Sequence, residues 1–311
     1  MLDLNDLYYF VLVVDHHGFS AAGRAVNLPK SRLSRRIAVL EQALETRLLS
    51  RSSRKMALTD AGQALYRHAR AMLVEAEAAE TAVRQRQGEP LGVVRFACSV
   101  AMAQFVMSDL LPRFMSDYPR VDVIQHASNH YVDAVGEGFD LVLRAHTGPL
   151  PDSSLVQRNL ASTHWCLAAA PDYLEQHGTP QSPADLPGHS ALKLGSDTAE
   201  GRWQLRSLAS KEQGDATLPF TARFCSDDMT GLKRAAMAGL GIVALPGYIC
   251  RPEFNEGSLV QLLPGWSAGH AQLSLLMPFR RGQLPSVQAL AGFLAAKLPG
   301  IVSGQDPGAG G

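Results

Sequence analysis

A chain of 311 residues, 46% of them apolar, is too long for one small domain and has ample material for two or three packed units. The formal charge is zero, yet Arg24, Lys30, Arg32, Arg35, Arg36, Arg47, Arg51, Arg54 and Lys55 face only Glu41 and Glu45 between residues 24 and 55. This confines any phosphate-binding surface to one end of the molecule. The cysteines Cys98, Cys166, Cys225 and Cys250 form no C-x-x-C pair and match no zinc spacing, which argues against a zinc or disulfide scaffold and for a reduced, cytoplasmic protein.

Leu4 to His16 is predicted to be a first helix, because Leu4, Leu7, Tyr8, Val11 and Leu12 recur at helical spacing. The opening MLDLNDLYYF has acids where a signal peptide has bases, and no apolar run reaches the roughly 18 residues that span a bilayer. Neither export nor a membrane partner is expected. Gly18 stops the helix, and Ser20 is read as the cap of a second, Ala21 to Leu28. Gly23 within it is expected to weaken it by about 1 kcal/mol. Pro29 ends that helix and sets a turn.

Ser31 is then read as the cap of a third helix, with Arg32, Arg35 and Arg36 on one side and Leu33, Ile37, Leu40 and Leu44 on the other. A basic face backed by an apolar face, straight after a tight turn, suits a helix that enters a DNA major groove while docked on its own domain. Arg47 to Leu58 reads as two short strands around a polar tip, a wing placed for phosphate or minor groove. The candidate DNA contacts are Ser20, Lys30, Ser31, Arg32, Ser34 and Arg35, with Arg51, Arg54 and Lys55 in the wing. Arginine reads guanine bidentately, for about 1–3 kcal/mol of discrimination; the serines and Lys30 suit phosphates. Arg36 stays open between groove contact and solvated charge.

Thr59 caps a long helix from Asp60 to about Gln87. Leu65, Ala69, Met72, Ala76, Ala79 and Val83 form a seam on it at alternating spacings of four and three. The seam meets a second copy or its own domain; two-fold DNA sites favour the copy. Gly88-Glu89-Pro90 reads as a hinge. The resulting segments are a head (1–59), a linker (60–90), a large domain (91–299) and a disordered tail (300–311).

From Leu91 strands alternate with helices. Strands are expected at Gly92–Ala97, Val121–His126, Leu141–Arg144, Trp165–Ala169, Ala191–Leu194, Phe220–Phe224 and Leu273–Met277. Helices are expected at Ala103–Met115, Tyr131–Gly136, Pro171–His177, Asp228–Ala238 and Pro285–Leu298. The alternation predicts a parallel α/β sheet in two lobes. The first lobe holds 91–161 and 266–299 and the second 162–265, with crossings near Leu160–Ser162 and Pro264–Ser267. Ligands of such sheets bind outside the carboxyl ends of strands. That rule gives Ser99, Val100, Ala101, Asn129, His130 and Arg144 in the first lobe. Thr163 and His164 stand at the crossover, and Ser196, Cys225, Ser226 and Asp227 in the second. Ser99 is equally an anion-binding hydroxyl and an ordinary helix cap; Arg144 is equally a carboxylate partner and a structural ion-pair member. Cys225 is read chiefly as a small apolar group, with redox sensing as the alternative.

The order of a helix, G-F-S-A-A, a turn, S-R-x-I-x-x-L-E, R-L-x-x-R and L-T-x-A-G, running from Leu4 to Tyr66, resembles the LysR-type transcriptional regulators, and the likeness extends over nearly the whole chain. The P-K-S-R-L-S-R-R turn resembles a subgroup that includes the virulence activator AphB and quinol-responsive regulators. The resemblance implies a winged helix-turn-helix with a linker-helix dimer, and a C-terminal α/β domain similar to periplasmic binding proteins. It further implies homotetramers, promoter DNA and RNA polymerase as partners, and a small-molecule effector in the cleft. An enzyme with a DNA-binding head is the competing reading. It lacks G-x-S-x-G, a P-loop and H-E-x-x-H, and Gly239-Leu240-Gly241 follows a helix rather than a strand. A periplasmic solute-binding protein is opposed by the basic head. No cofactor or metal site is expected, since His126 and His130 do not share a helical face.

Overall fold

The computed structural model describes residues 2–52, 55–84, 90–150, 155–195, 197, 199–208, 214–278 and 283–304. The head holds α1 (Leu4–Asp15), α2 (Phe19–Ala25) and α3 (Lys30–Ala43), then the hairpin β1 (Leu49–Ser52) and β2 (Lys55–Leu58). Leu7, Phe10, Val11, Ala22, Leu33, Ile37, Leu40, Leu48 and Leu49 make one core. Each fully buried large side chain there contributes at most about 1.5–3 kcal/mol. Asn27 takes a left-handed φ of 52° in the turn before α3, a conformation asparagine tolerates.

Two of the expected caps are displaced. Gly18 stands at the cap of α2, so Ser20 lies inside the first turn. Pro29 stands at the cap of α3, so Ser31 is helical; proline's fixed φ and missing N–H suit that boundary. Gly23 also has a different role from a weak point. A Cβ there would lie 2.6 Å from the Leu28 carbonyl oxygen, while the Leu28 N–H donates to the Gly23 carbonyl. Only glycine lets the chain fold back this tightly.

The wing is held by polar contacts that the sequence did not reveal. Buried Glu41 accepts from the Leu48 and Leu49 N–H groups at 2.9 and 3.1 Å and pairs with Arg47. The Thr59 hydroxyl donates to the Arg47 carbonyl and accepts from the Gly62 N–H, capping α4 (Asp60–Arg84) as expected. Tyr66 and Arg70 of α4 donate to Asp15 at the end of α1. Burial, with the Asp15 acceptor, pushes the Tyr66 phenol up to about 12. Leu65, Ala69 and Met72 pack on the head's own core, so the first half of the seam is intramolecular. Ala76 is exposed; the side chains of Ala79 and Val83, and the helix end near Gln87 with its Gly-Glu-Pro hinge, fall outside the described residues.

The C-terminal domain is built on a mixed sheet, not a parallel one. In the first lobe β3 (Gly92–Cys98) pairs in parallel with β4 (Val121–Ala127) and β5 (Leu141–His146). In the second, β7 (Ala191–Leu194) pairs in parallel with β9 (Ala216–Ser226) and β10 (Ile242–Pro246). Two long antiparallel strands join the halves, β6 (Leu155–Ala169) and β13 (Gly269–Pro278). The expected first crossing, Leu160–Ser162, falls inside the unbroken strand β6, and β13, which pairs Gln272 with Ser162, follows the expected second one at Pro264–Ser267. Trp266–Ser267 is instead a strand, β12, paired to β8 (Glu200–Ser207). β11 (Val260–Leu262) and α9 (Gly247–Glu256) lack a clear periodic signal, whereas β8 alternates polar residues with buried Trp203 and Leu205, a strand signal absent from the expected elements.

Helical material departs from expectation in three places. Tyr131–Gly136 forms no helix; a turn covers residues 134–138, where Asp133 accepts from the Gly136 N–H. The helix expected from Ala103 begins at Val100 as α5 (Val100–Met102). It passes through a π-helical turn (Ala103–Met107) into α6 (Ser108–Asp117). Finally α10 (Pro285–Ser303) runs into the segment read as tail, of which residues 305–311 lie outside the described region. By length and mean composition α10 is apolar enough to cross a membrane, though Gln288 and Lys297 interrupt its apolar run, and Val287, Leu290, Leu294, Leu298 and Val302 sit in the first-lobe core. Among the described residues the remaining helices are α7 (Pro171–His177), a 3-10 turn at Pro183–Gly188 and α8 (Met229–Met237).

Replacing Gly23 with alanine is expected to cost about 1–3 kcal/mol of stability, as overpacking against fixed backbone does. Urea denaturation checks it, and unchanged stability would remove the close-approach account.

Candidate nucleic-acid interface and ligand cavities

α3 presents two faces with opposite fates. Leu33, Ile37 and Leu40 are buried, while Lys30, Ser31, Arg32 and Arg35 are exposed and Ser34 is half-buried. Among the described residues neither Arg32 nor Arg35 has an acidic partner. Arg36 differs: its guanidinium binds both Asp3, which caps α1, and buried Asp6. The hydrogen bond from Arg36 holds the Asp3 carboxyl below its ordinary range. Arg36 is therefore a clamp between α3 and α1, which answers the question its sequence position left open. Ser20 is exposed on α2. Arg51 and Lys55 lie on the paired wing strands; their side chains, and Arg54 altogether, fall outside the described residues.

In the C-terminal domain the strand ends of the two lobes meet. A cavity of about 140 Å³ is lined by Ser99, Ser128, Asn129, His130 and Arg144 together with Cys98. Ser99 caps α5, its hydroxyl accepting from the Met102 N–H at 3.2 Å. Asn129 joins the lobes: its carbonyl accepts from the Val100 N–H, and its amide donates to the Asp227 carbonyl at 3.1 Å. Arg144 lies over the Tyr131 ring at 4.7 Å, a cation–π contact and not an acidic partnership. Ser226 accepts from the Asp228 N–H. Ala101 is buried against Leu232 and Ala236 of α8, so it packs instead of facing a ligand. Val100 is half-buried, and Ser196 lies outside the described residues.

The crossover residues separate from this group. Thr163 is buried, and His164 lines a different cavity of about 500 Å³ with Thr147, Arg206 and His270. Sequence reasoning also missed contacts beside the Asn129 bridge. The Thr230 hydroxyl donates to Gln104 Oε1 at 2.5 Å, and Lys233 lies 4.6 Å from the Phe105 ring centre. Both partners sit on the π-helical turn, whose odd register turns them toward α8; such turns often mark functional positions. Asp228, which caps α8 through the Thr230 and Gly231 N–H groups, was recoverable from its place before an apolar helix. Gln104 carried no such signal.

Of the cysteines, Cys98, Cys166 and Cys250 are buried and Cys225 is half-buried. Burial pushes the Cys98 thiol up to about 11, so it lines its cavity as a neutral group. The Cys166 thiol donates to the Leu245 carbonyl at 3.5 Å. His126 rests against the Phe139 ring.

Comparison with known proteins agrees with both halves. Residues 4–63 match the bacterial regulatory helix-turn-helix protein, lysR family. Residues 87–299 match the LysR substrate binding domain. The chain is 32% identical to the probable HTH-type transcriptional regulator LtrA of Klebsiella pneumoniae, over 97% of this chain and 96% of that one. The full-length structure of the Vibrio cholerae virulence activator AphB covers 94% of this chain and 99% of its own, with a TM-score of 0.61 and 26% identity. The structure of CrgA from Neisseria meningitidis covers 97% and 98%, with a TM-score of 0.55 and 27% identity.

The two arginine roles are separable. Arg36→Ala is expected to lower the melting temperature, because Asp6 loses its partner while remaining buried. Arg32→Ala, at an exposed position, is expected to stay within about 0.5 kcal/mol of the parent. Thermal melting of both variants checks this, and equal losses would contradict the assignment.

Proposed function

Because the chain belongs to the LysR family of bacterial transcriptional regulators, and is a regulator and not an enzyme, we propose how its own residues carry that role. α3 enters the major groove of promoter DNA with Arg32 and Arg35 at base edges, while Lys30, Ser31, Ser34 and Ser20 hold phosphates. Arg51, Arg54 and Lys55 of the wing reach the flanking backbone. The observation that carries this is a bare pair of arginines on the face of α3 opposite its buried leucines.

The working unit is a homodimer, assembled into a homotetramer, acting in the cytoplasm and altering access for RNA polymerase. Intramolecular packing of Leu65, Ala69 and Met72 leaves the later part of α4 as the segment that meets the second copy. A small-molecule effector binds where Asn129 and Asp227 join the lobes, with Ser99, His130 and Arg144 on one side and Ser226 on the other. An effector there biases two arrangements of the lobes through its different affinity for each. A thiol-responsive mode has one observation in its favour: Cys225 is the half-exposed cysteine, beside Ser226 and Asp227 at the end of β9.

A DNase footprint on the intergenic DNA beside the protein's own gene tests the first reading. Protection is expected with the parent and lost with Arg32→Ala/Arg35→Ala, and parent binding should fall steeply with salt. Protection that survives the double substitution would move recognition away from α3. For the thiol mode, peroxide is expected to alter the footprint of the parent and not of Cys225→Ser; an identical response in both excludes it.

A further inference from the structure

A second cavity in the C-terminal domain, about 500 Å³, shares no lining residue with the one around Ser99 and Arg144. Of the two, it reaches the volume ordinary for a small-molecule site. Three parts of the fold build it. Thr147 follows β5 in the first lobe, and His164 and His270 are cross-strand neighbours on the two strands that join the lobes. Gln204, Arg206 and Thr217 come from β8 and β9 in the second lobe.

The hydrogen bonds around Ser267 fix the chemistry of one wall. Ser267 is buried, and its single hydroxyl proton goes to the Gly269 carbonyl at 2.6 Å. The same oxygen lies 3.3 Å from His164 Nδ1 and so must accept from it. His164 then carries its proton on Nδ1 and offers a lone pair at Nε2. Among the described residues Nε2 has no hydrogen-bond partner. Burial, with His270 and Arg206 nearby, lowers the His164 pKa and keeps the ring neutral. Opposite in character is Arg206, three-quarters exposed and 3.8 Å from the exposed Asp215. An ion pair that loose and wet is worth little and gives way readily to a better-placed carboxylate. The imidazole rings of His164 and His270, with centres 5.4 Å apart and planes tilted by 56°, form an angled wall against which a ring can rest.

We propose that this cavity is a second ligand site, and that it takes a hydroxy acid whose O–H donates to His164 Nε2 while its carboxylate pairs with Arg206. The proposal does not rest on the cavity around Asn129. A cation would find one carboxylate, already beside Arg206. A purely apolar ligand would leave Nε2 and the guanidinium unmet. A ligand satisfying both groups also ties the β8–β9 hairpin to the joining strands, so its occupancy is felt at the hinge between the lobes.

All three tryptophans flank this lining: Trp165 pairs with Gly269, Trp203 precedes Gln204, and Trp266 precedes Ser267. Titrating the full-length chain with 4-hydroxybenzoate is therefore expected to give a saturable change in tryptophan fluorescence. Benzoate and phenol, each lacking one of the two groups, should bind about ten-fold more weakly, the scale of one lost charge-assisted hydrogen bond. His164→Ala and Arg206→Gln should weaken 4-hydroxybenzoate similarly, with Arg144→Ala unchanged. DNA binding without ligand confirms that each variant is folded. No saturable change, equal affinity for the three probes, or equal loss in Arg144→Ala would overturn the site. A chain that footprints DNA yet ignores the probe overturns this site alone and leaves the regulatory reading intact.

Discussion

Leu33, Ile37 and Leu40 hold α3 against α1 and the wing base, and that burial decides what the other side of the helix can do. Arg32 and Arg35 stay bare because every residue at the opposite helical phase is committed to the core. Arg36, one position further round, is close enough to α1 to be captured by Asp3 and Asp6. One hydrophobic face thus sorts three neighbouring arginines into two surface groups and one clamp. The same logic extends to Glu41, whose buried carboxylate gathers the first N–H groups of the wing. The wing's position therefore follows from the helix that sits beside it.

In the C-terminal domain the controlling constraint is the pair of joining strands. β6 and β13 run antiparallel through both halves, so the carboxyl ends of the parallel strands in each lobe point at the same hinge. Asn129 can then reach the Asp227 carbonyl, and Gln104 can meet Thr230. These polar contacts lie beside an apolar one, in which Ala101 and Phe105 join the core that holds Leu232 and Ala236 of α8. A junction that includes exchangeable hydrogen bonds suits two arrangements, which is what an effector-controlled regulator needs.

Local pattern made much of the molecule legible. The helix and strand periods, the turn at Pro29 and the Thr59 cap made the head, its third helix and the wing legible. Four of the proposed first-lobe residues (Ser99, Asn129, His130 and Arg144) do share a cavity, because the rule about strand ends depends only on strand order. The failures have equally physical causes. Gly23 reads as a defect until the Leu28 carbonyl is seen to occupy its Cβ position. The long β6 was halved because its exposed portion carries no apolar alternation. His164 was grouped with Ser99 by proximity to the crossover, whereas its cross-strand pairing with His270 places it in another cavity.

The sequence by itself determined the kind of protein this is: a basic helix-turn-helix head, a long linker helix and an α/β domain, since these depend on short-range periodicity, turns and charge. The tertiary structure alone decided which arginine is clamped and which is free, where the sheet turns antiparallel, and which polar side chains share a cavity. Those outcomes depend on contacts between residues more than 30 apart, such as Arg36 with Asp3 or Asn129 with Asp227. No local spacing encodes such contacts; they exist only once the hydrophobic cores have fixed how distant elements face one another.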